Sequence, residues 1–302
     1  MKNRPKESSF KINCTGKMLD LSEEAKIMGI LNTTPDSFYD GGTLHGNGEN
    51  IDLDQAIEHA LSMIDRGASI IDVGGESSRP GAKKISSKEE IERTAPLIAL
   101  LRKKTDILIS IDTYKAEVAE KALQAGANIV NDISGFTFDH NLPAICSKYQ
   151  AAVILMHAPL KPHSMQWSTS TDSGREEIIT KVIRYLANSI AVAEQHSIHD
   201  IIIDPGFGFG KSVEENFRLL DCLDSLHALK RPILAGLSRK SFLGHAITPA
   251  CGTTPPPSER LAATIAAQTI ALMHGASILR VHDVEAALQS LLVVSAMNAA
   301  KT

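Results

Sequence analysis

A single-domain (β/α)8 TIM barrel is the fold class that the sequence predicts, on three observations. Short apolar runs rich in β-branched residues alternate eight times with longer stretches of helical period. The runs carry no polar alternation, as parallel strands buried on both faces require. No linker or composition shift divides the 302 residues, which disfavours the runner-up, a doubly wound sheet, and eight such units match the ~250 residues of this barrel.

In chain order, residues 1–25 read as a polar lead-in or as a small strand pair closing the barrel floor, and residues 26–302 as the barrel. Strands are expected at Ile27–Leu31, Ile70–Val73, Ile107–Ile111, Ile129–Val130, Ala152–Met156, Ile201–Ile203, Ile233–Leu237 and Ile278–Val281. Helical spacing joins Ile57, Leu61 and Ile64 after the first strand, Ile178, Val182, Ile183 and Leu186 after the fifth, and Val284, Ala287, Leu288 and Leu291 after the eighth. Long βα loops follow strands one (Thr33–Asn50), two (Gly74–Ser87) and five (Ala158–Gly174). Typical βα connections take ~2–6 residues, and long loops on that face usually serve function. The proline-rich segment Thr248–Pro257 reads as a surface excursion.

The formal charge of −4 lacks the basic excess of a nucleic-acid binder. Hydrophobic residues make up 43% but aromatics only 4%, so the core must come from Ile, Leu, Val and Ala. Leu261–Met273, the longest nearly apolar run, falls short of the ~18–20 residues that cross a bilayer, and no membrane partner is expected. Lys2, Arg4 and Lys6 are followed by Glu7, Ser8 and Ser9 rather than by an apolar signal region. Cys14, Cys146, Cys222 and Cys251 are too scattered for a disulfide framework or a zinc pattern, so a cytoplasmic chain with reduced thiols is expected.

Catalytic groups of such barrels sit where strands end, and here a polar residue stands at every such place. These are Asn32, Asp72, Asp112, Asn131 with Asp132, His157, Asp204, Ser238 with Arg239 and Lys240, and Arg280 with His282 and Asp283. Helix capping explains a lone Asp or Asn. It does not explain Lys240, Arg280 and His282 at one mouth. Arg280 and His282 lie two residues apart in a strand-like segment, so they share a face and can both reach one anion.

The DPGFGFGKS segment (Asp204–Ser212) is not a P-loop, because Pro205 stands where its first glycine is needed. His157, with only His163 and prolines nearby, lacks the ligand set of a catalytic zinc and is expected to line or support the site.

Seven segments carry a family resemblance: ILNTTPDSFYDGG (Ile30–Gly42), IDVGGESSRPGA (Ile71–Ala82), SIDTYKAEVAEKALQAGANIVNDISG (Ser110–Gly135), IIIDPGFGFGK (Ile201–Lys211), GLSRKSFLG (Gly236–Gly244), SERLAAT (Ser258–Thr264) and RVHDV (Arg280–Val284). In this order they closely resemble the dihydropteroate synthase family of pterin-binding barrels. The resemblance implies condensation of 6-hydroxymethyl-7,8-dihydropterin diphosphate with 4-aminobenzoate, releasing diphosphate with the help of Mg2+, in folate biosynthesis. The implied partners are these small molecules and a second copy of the chain in a homodimer. It places Asp112, Asn131, Met156, Asp204 and Lys240 in the pterin pocket. Asn32, Arg280 and His282 fall at the diphosphate, with Asn32 as the metal ligand, and Phe38, Ser78, Arg79, Pro80, Phe209 and Ser238 at the aminobenzoate. Asp112, Lys240, Arg280 and His282 are the expected catalytic set, with Arg280 serving the diphosphate separately from the pterin ring.

The sequence departs from the family pattern at Thr33, commonly Val, at Ser78, commonly Thr, and after His157, where Ala158 and Pro159 replace a Met-x-Gly run. The alternatives, a pterin-dependent methyltransferase and a non-catalytic pterin-binding protein, do not account for Arg280 and His282 or for the full polar set.

Overall fold

The computed structural model describes residues 10–33, 52–77, 84–161 and 177–300. Two short strands, β1 (Lys11–Cys14) and β2 (Lys17–Asp20), form an antiparallel hairpin. Eight parallel strands follow: β3 (Lys26–Asn32), β4 (Ile70–Gly74), β5 (Leu108–Asp112), β6 (Ile129–Asp132), β7 (Ala152–Met156), β8 (Ile201–Asp204), β9 (Leu234–Ala235) and β10 (Ile278–Val281). Their order is β8-β7-β6-β5-β4-β3-β10-β9, and an Ile203 to Ile233 bridge joins β8 to the β9 segment and closes the ring. The (β/α)8 expectation is met.

Alternation along each strand sorts side chains between two cores. Ile71, Val73, Ile109, Ile111, Val130, Val153 and Leu155 pack outward with the helices. Met28, Ile70, Leu108, Ile129, Ile154, Ile202, Leu234 and Ile278 fill the barrel's lower layer, and Ile12, Cys14, Leu19 and Leu21 of the hairpin plug it from below. Of the two readings of the lead-in, the strand pair on the barrel floor is the one found.

The helices are α1 (Leu53–Asp65), α2 (Ser87–Lys104), α3 (Ala116–Ala125), α4 (Leu142–Lys148), α5 (Ile178–Gln195), α6 (Val213–Asp221), α7 (Ser241–Cys251), α8 (Leu261–Met273) and α9 (Val284–Ala299). Their starts follow local chemistry: Asp52 caps α1, Ser86 caps α2, and Ser212 with Glu215 forms a reciprocal capping box on α6.

Several strands run one or two residues past their expected ends, to Asn32, Gly74, Asp112, Asp132 and Asp204, and three other boundaries also differ from expectation. Ile107 stays outside β5 because its carbonyl accepts from Arg102 Nη1 at 2.8 Å and its N–H donates to Thr105 Oγ1 at 3.2 Å. The seventh barrel strand shrinks from Ile233–Leu237 to Leu234–Ala235, its ladder with β10 pairing just those two residues. Thr248–Cys251, expected in an excursion, closes α7 although Pro249 lies inside that helix.

Candidate active site

The strand register assembles the rim. Parallel pairing sets Asn32 against Gly74, Gly74 against Asp112 and Asp112 against Asn131, while Met156 pairs with Asp204. These residues share the inward phase of the lower-layer apolar side chains, two or four positions on, so they face the barrel mouth. Gly74 keeps the row compact, since a Cβ there would stand 3.2 Å from Asn32 Oδ1 and 3.6 Å from Asp112 Cβ.

Arg280 bridges two acids across this mouth. Its Nε donates to Asp72 Oδ2 at 2.6 Å and its Nη2 to Asp112 Oδ2 at 2.7 Å, and Asn131 Nδ2 donates to Asp72 Oδ2 at 3.0 Å. Burial pushes Asp112 up to about 7, with Asp72 and Glu90 adding to the rise and Arg280 and Lys240 opposing it. For Arg280 burial works against the charge, but Asp72 and Asp112 outweigh it and hold the guanidinium protonated. Sequence reasoning picked out Asp72 within the second strand but gave it no role. Arg280, expected to serve the diphosphate separately from the pterin ring, is bonded directly to Asp112.

Asp204 ends β8 with its Oδ1 accepting from Gly206 N at 2.7 Å, and burial raises its pKa. The glycine-rich turn after it is tied by Lys211, fully buried, whose Nζ donates to the carbonyls of Gly206 at 2.6 Å, Phe209 at 3.2 Å and His157 at 3.4 Å. This explains a lysine in a motif that is not a P-loop: it satisfies backbone oxygens rather than phosphates. The turn also brings Phe209 beneath Lys240, whose Nζ lies 4.2 Å from the ring centroid. Gly206 has φ +70°, and a Cβ would collide with the His157 carbonyl oxygen. Gly206→Ala is therefore expected to destabilise the fold by at least ~1–3 kcal/mol. An unchanged denaturant midpoint would contradict that geometry.

His157 is buried, its ring edge-on to Tyr185 at 4.8 Å, and burial together with Lys211 pushes its pKa down to about 2. It is a neutral, packed imidazole, in keeping with a supporting role. Met156 joins Tyr114, Ile133, Ala158 and Phe209 in an apolar cluster at the rim.

Beyond the neighbouring strands β9 and β10, His282 Nδ1 lies 3.0 Å from Ser238 Oγ. Arg239, at φ +57°, forks onto Asp283 through Nε at 3.0 Å and Nη2 at 2.9 Å. Its carbonyl accepts from Arg260 Nη1 at 3.0 Å and its N–H donates to Thr264 Oγ1 at 3.0 Å. The SERLAAT segment thus fixes the backbone between Ser238 and Lys240.

Sequence reasoning missed the cluster at the foot of the second loop. Lys115 Nζ lies 2.7 Å from Glu90 Oε2 and 2.8 Å from Glu76 Oε2 and donates to the Ile85 carbonyl at 2.9 Å, while Glu76 Oε1 accepts from Ile85 N at 3.2 Å. The two ends of that loop are joined by one buried charge cluster, which no local sequence pattern announces. Phe38, Ser78, Arg79 and Pro80 lie outside the described residues. Among the described residues no group of three His, Cys, Asp or Glu could hold a metal ion.

Residues 28–282 match the model of the family described as pterin binding enzyme. The chain is 45% identical over 282 residues to the dihydropteroate synthase of a Synechocystis species, covering 93% of this chain and 92% of that one. It superposes on the Xanthomonas albilineans dihydropteroate synthase solved with 4-aminobenzoic acid at a TM-score of 0.84 and 37% identity, over 97% of this chain and 99% of that one. The same organism's enzyme in complex with 7,8-dihydropteroate matches at 0.80 and 34% identity, over 96% and 99%.

Proposed function

The chain belongs to the pterin binding enzyme family, among its dihydropteroate synthases, and from that premise we propose how its residues carry the reaction. The enzyme condenses 6-hydroxymethyl-7,8-dihydropterin diphosphate with 4-aminobenzoate to give 7,8-dihydropteroate and diphosphate. The observation that best supports the residue roles is the barrel mouth itself, where Asp112, Asn131 and Asp204 offer oxygen acceptors beside the cations Arg280 and Lys240.

The pterin edge carries a guanidine-like row of N–H donors, which two carboxylates and an amide oxygen satisfy. Met156 and Lys240 complete the pterin pocket. Arg280, His282 and Asn32 take the diphosphate, and Phe38, Ser78, Arg79, Pro80, Phe209 and Ser238 take the aminobenzoate. The bond to diphosphate breaks first, leaving a cation conjugated with the pterin ring that the neutral arylamine attacks, its nitrogen then losing a proton to water or to the released diphosphate. Asp112 stabilises that cation when ionised, and Arg280 and His282 stabilise the departing charge. No nucleophilic side chain is needed.

Asn32 Oδ1, beside Gly74 at the rim, suits Mg2+ as a hard oxygen ligand. Asn32 would hold the ion together with oxygens of the substrate diphosphate and water. When bound, the ion neutralises diphosphate charge and eases its departure.

The test is product formation: the purified chain given both substrates and Mg2+ should release diphosphate in step with dihydropteroate. Diphosphate release that ignores 4-aminobenzoate would make it a hydrolase instead. A second expectation concerns order. If bound diphosphate completes the aminobenzoate site, calorimetry should detect 4-aminobenzoate binding only with diphosphate and a pterin analogue present. Equal binding to the free protein would mean a preformed site.

Leu261, Ile270 and Met273 of α8 and Leu292 and Val293 of α9 are exposed apolar side chains, and α8 packs against α9. This supports a homodimer through these helices, which light scattering at micromolar concentration checks. No described helix is long and apolar enough to cross a membrane. The four cysteines are free, in keeping with a cytoplasmic enzyme.

A further inference from the structure

Asp72 is fully buried in β4, two residues below the rim position Gly74 and in register between Ile30 and Ser110. Barrels of this kind usually carry branched apolar side chains at such depth. Its Oδ2 accepts from both Arg280 Nε and Asn131 Nδ2, while its Oδ1 has no hydrogen-bond partner among the described residues. A buried carboxylate is costly, so position 72 needs a reason. Its effect on its two partners supplies one. A carboxylate oxygen only accepts, so the Asn131 amide must turn Nδ2 toward Asp72, leaving Oδ1 as its acceptor for the donor edge of a pterin. On Arg280, Asp72 occupies Nε while Asp112 occupies Nη2. Nη1 bonds to no described residue, so its two N–H groups and the second N–H of Nη2 are left to meet an anion.

We propose that Asp72 is a positioning residue for the known reaction, setting Asn131 as a pterin acceptor and Arg280 as a diphosphate donor through one carboxylate oxygen. The inference rests on the pterin and diphosphate roles given above. Asp72 touches no substrate; it acts through two side chains that do.

The experiment is a double-mutant cycle. Wild type, Asp72→Asn, Asn131→Ala and the double variant are titrated by calorimetry with 6-hydroxymethylpterin, which lacks diphosphate. Each single variant should bind it about 10- to 100-fold more weakly, the range of a lost hydrogen bond to a charged group. The double variant should lose clearly less than the product of the two single losses, because part of Asp72's effect runs through Asn131. In turnover, Asp72→Asn should also raise KM for the diphosphate substrate through Arg280. Unchanged pterin affinity in Asp72→Asn, or a double loss equal to the product, would overturn the inference. Failure of wild type to bind the pterin would overturn the pocket assignment instead. If Asp72→Asn does not fold, the native protein still decides: with 15N-labelled asparagine, the Asn131 side-chain amide should exchange slowly with solvent, and free exchange would overturn the inference.

Discussion

Arg280→Ala is expected to lower stability by about 3–5 kcal/mol, because it leaves Asp72 and Asp112 buried without their counter-ion. It should also weaken the diphosphate substrate by a further ~1.5–3 kcal/mol, the worth of a charged hydrogen bond. On sequence alone Arg280 served the diphosphate only, and a pterin lacking diphosphate would have bound the variant normally. The 2.7 Å bond to Asp112 and the link through Asp72 to Asn131 predict that the ring loses affinity as well. Denaturant unfolding and titration of both ligands check this. An unshifted midpoint with unchanged ring affinity would mean that these pairs do not govern the pocket.

Asp112→Asn should lower turnover by about 10²- to 10³-fold, as removal of one preorganised group facing developing charge typically does. Its pH dependence is the sharper readout. An ordinary Asp ionises near 3.8, and here burial, with Asp72 and Glu90, pushes the group up to about 7 against Arg280 and Lys240. The ionised form faces the cation, so kcat/KM should fall as pH drops through about 7, and that limb should vanish in Asp112→Asn. Stability runs the opposite way. Between 3.8 and about 7 the native state keeps a proton that the unfolded chain has released, so this group's contribution declines as pH rises across the window. A wild-type profile flat from pH 5 to 8 would remove Asp112 from this role.

The barrel was legible because parallel strands buried on both faces need unbroken apolar runs, and Ile70–Val73 or Ala152–Met156 have no other ready reading. The rim residues were legible for a related reason: a polar side chain ending such a run stands where the strand leaves the apolar layer for the mouth. Asn32, Asp112, Asn131 and Asp204 prove to be strand residues themselves, which fixes their direction more firmly than a loop would. Ile107 was misjudged because its backbone is claimed by Arg102 and Thr105, a tertiary choice that apolar periodicity does not reveal. The pairing of Asp72 with Arg280 spans 208 positions, and one aspartate in an apolar run gives no hint of a partner at that distance. Lys115 joining Glu76 and Glu90 was hidden in the same way, since the three come from different elements. In the GFGFGK run, spacing excluded a phosphate cradle, but only the fold showed that Lys211 serves carbonyl oxygens.

A crystal structure of the chain with a pterin, diphosphate and Mg2+ tests the shared mouth most directly. The ring's donor edge should lie against Asp112, Asp204 and the Asn131 oxygen. The diphosphate should meet Arg280 and His282, with Arg280 Nε still on Asp72. A ring seated away from these acceptors, or a diphosphate that leaves Arg280 untouched, would contradict the account.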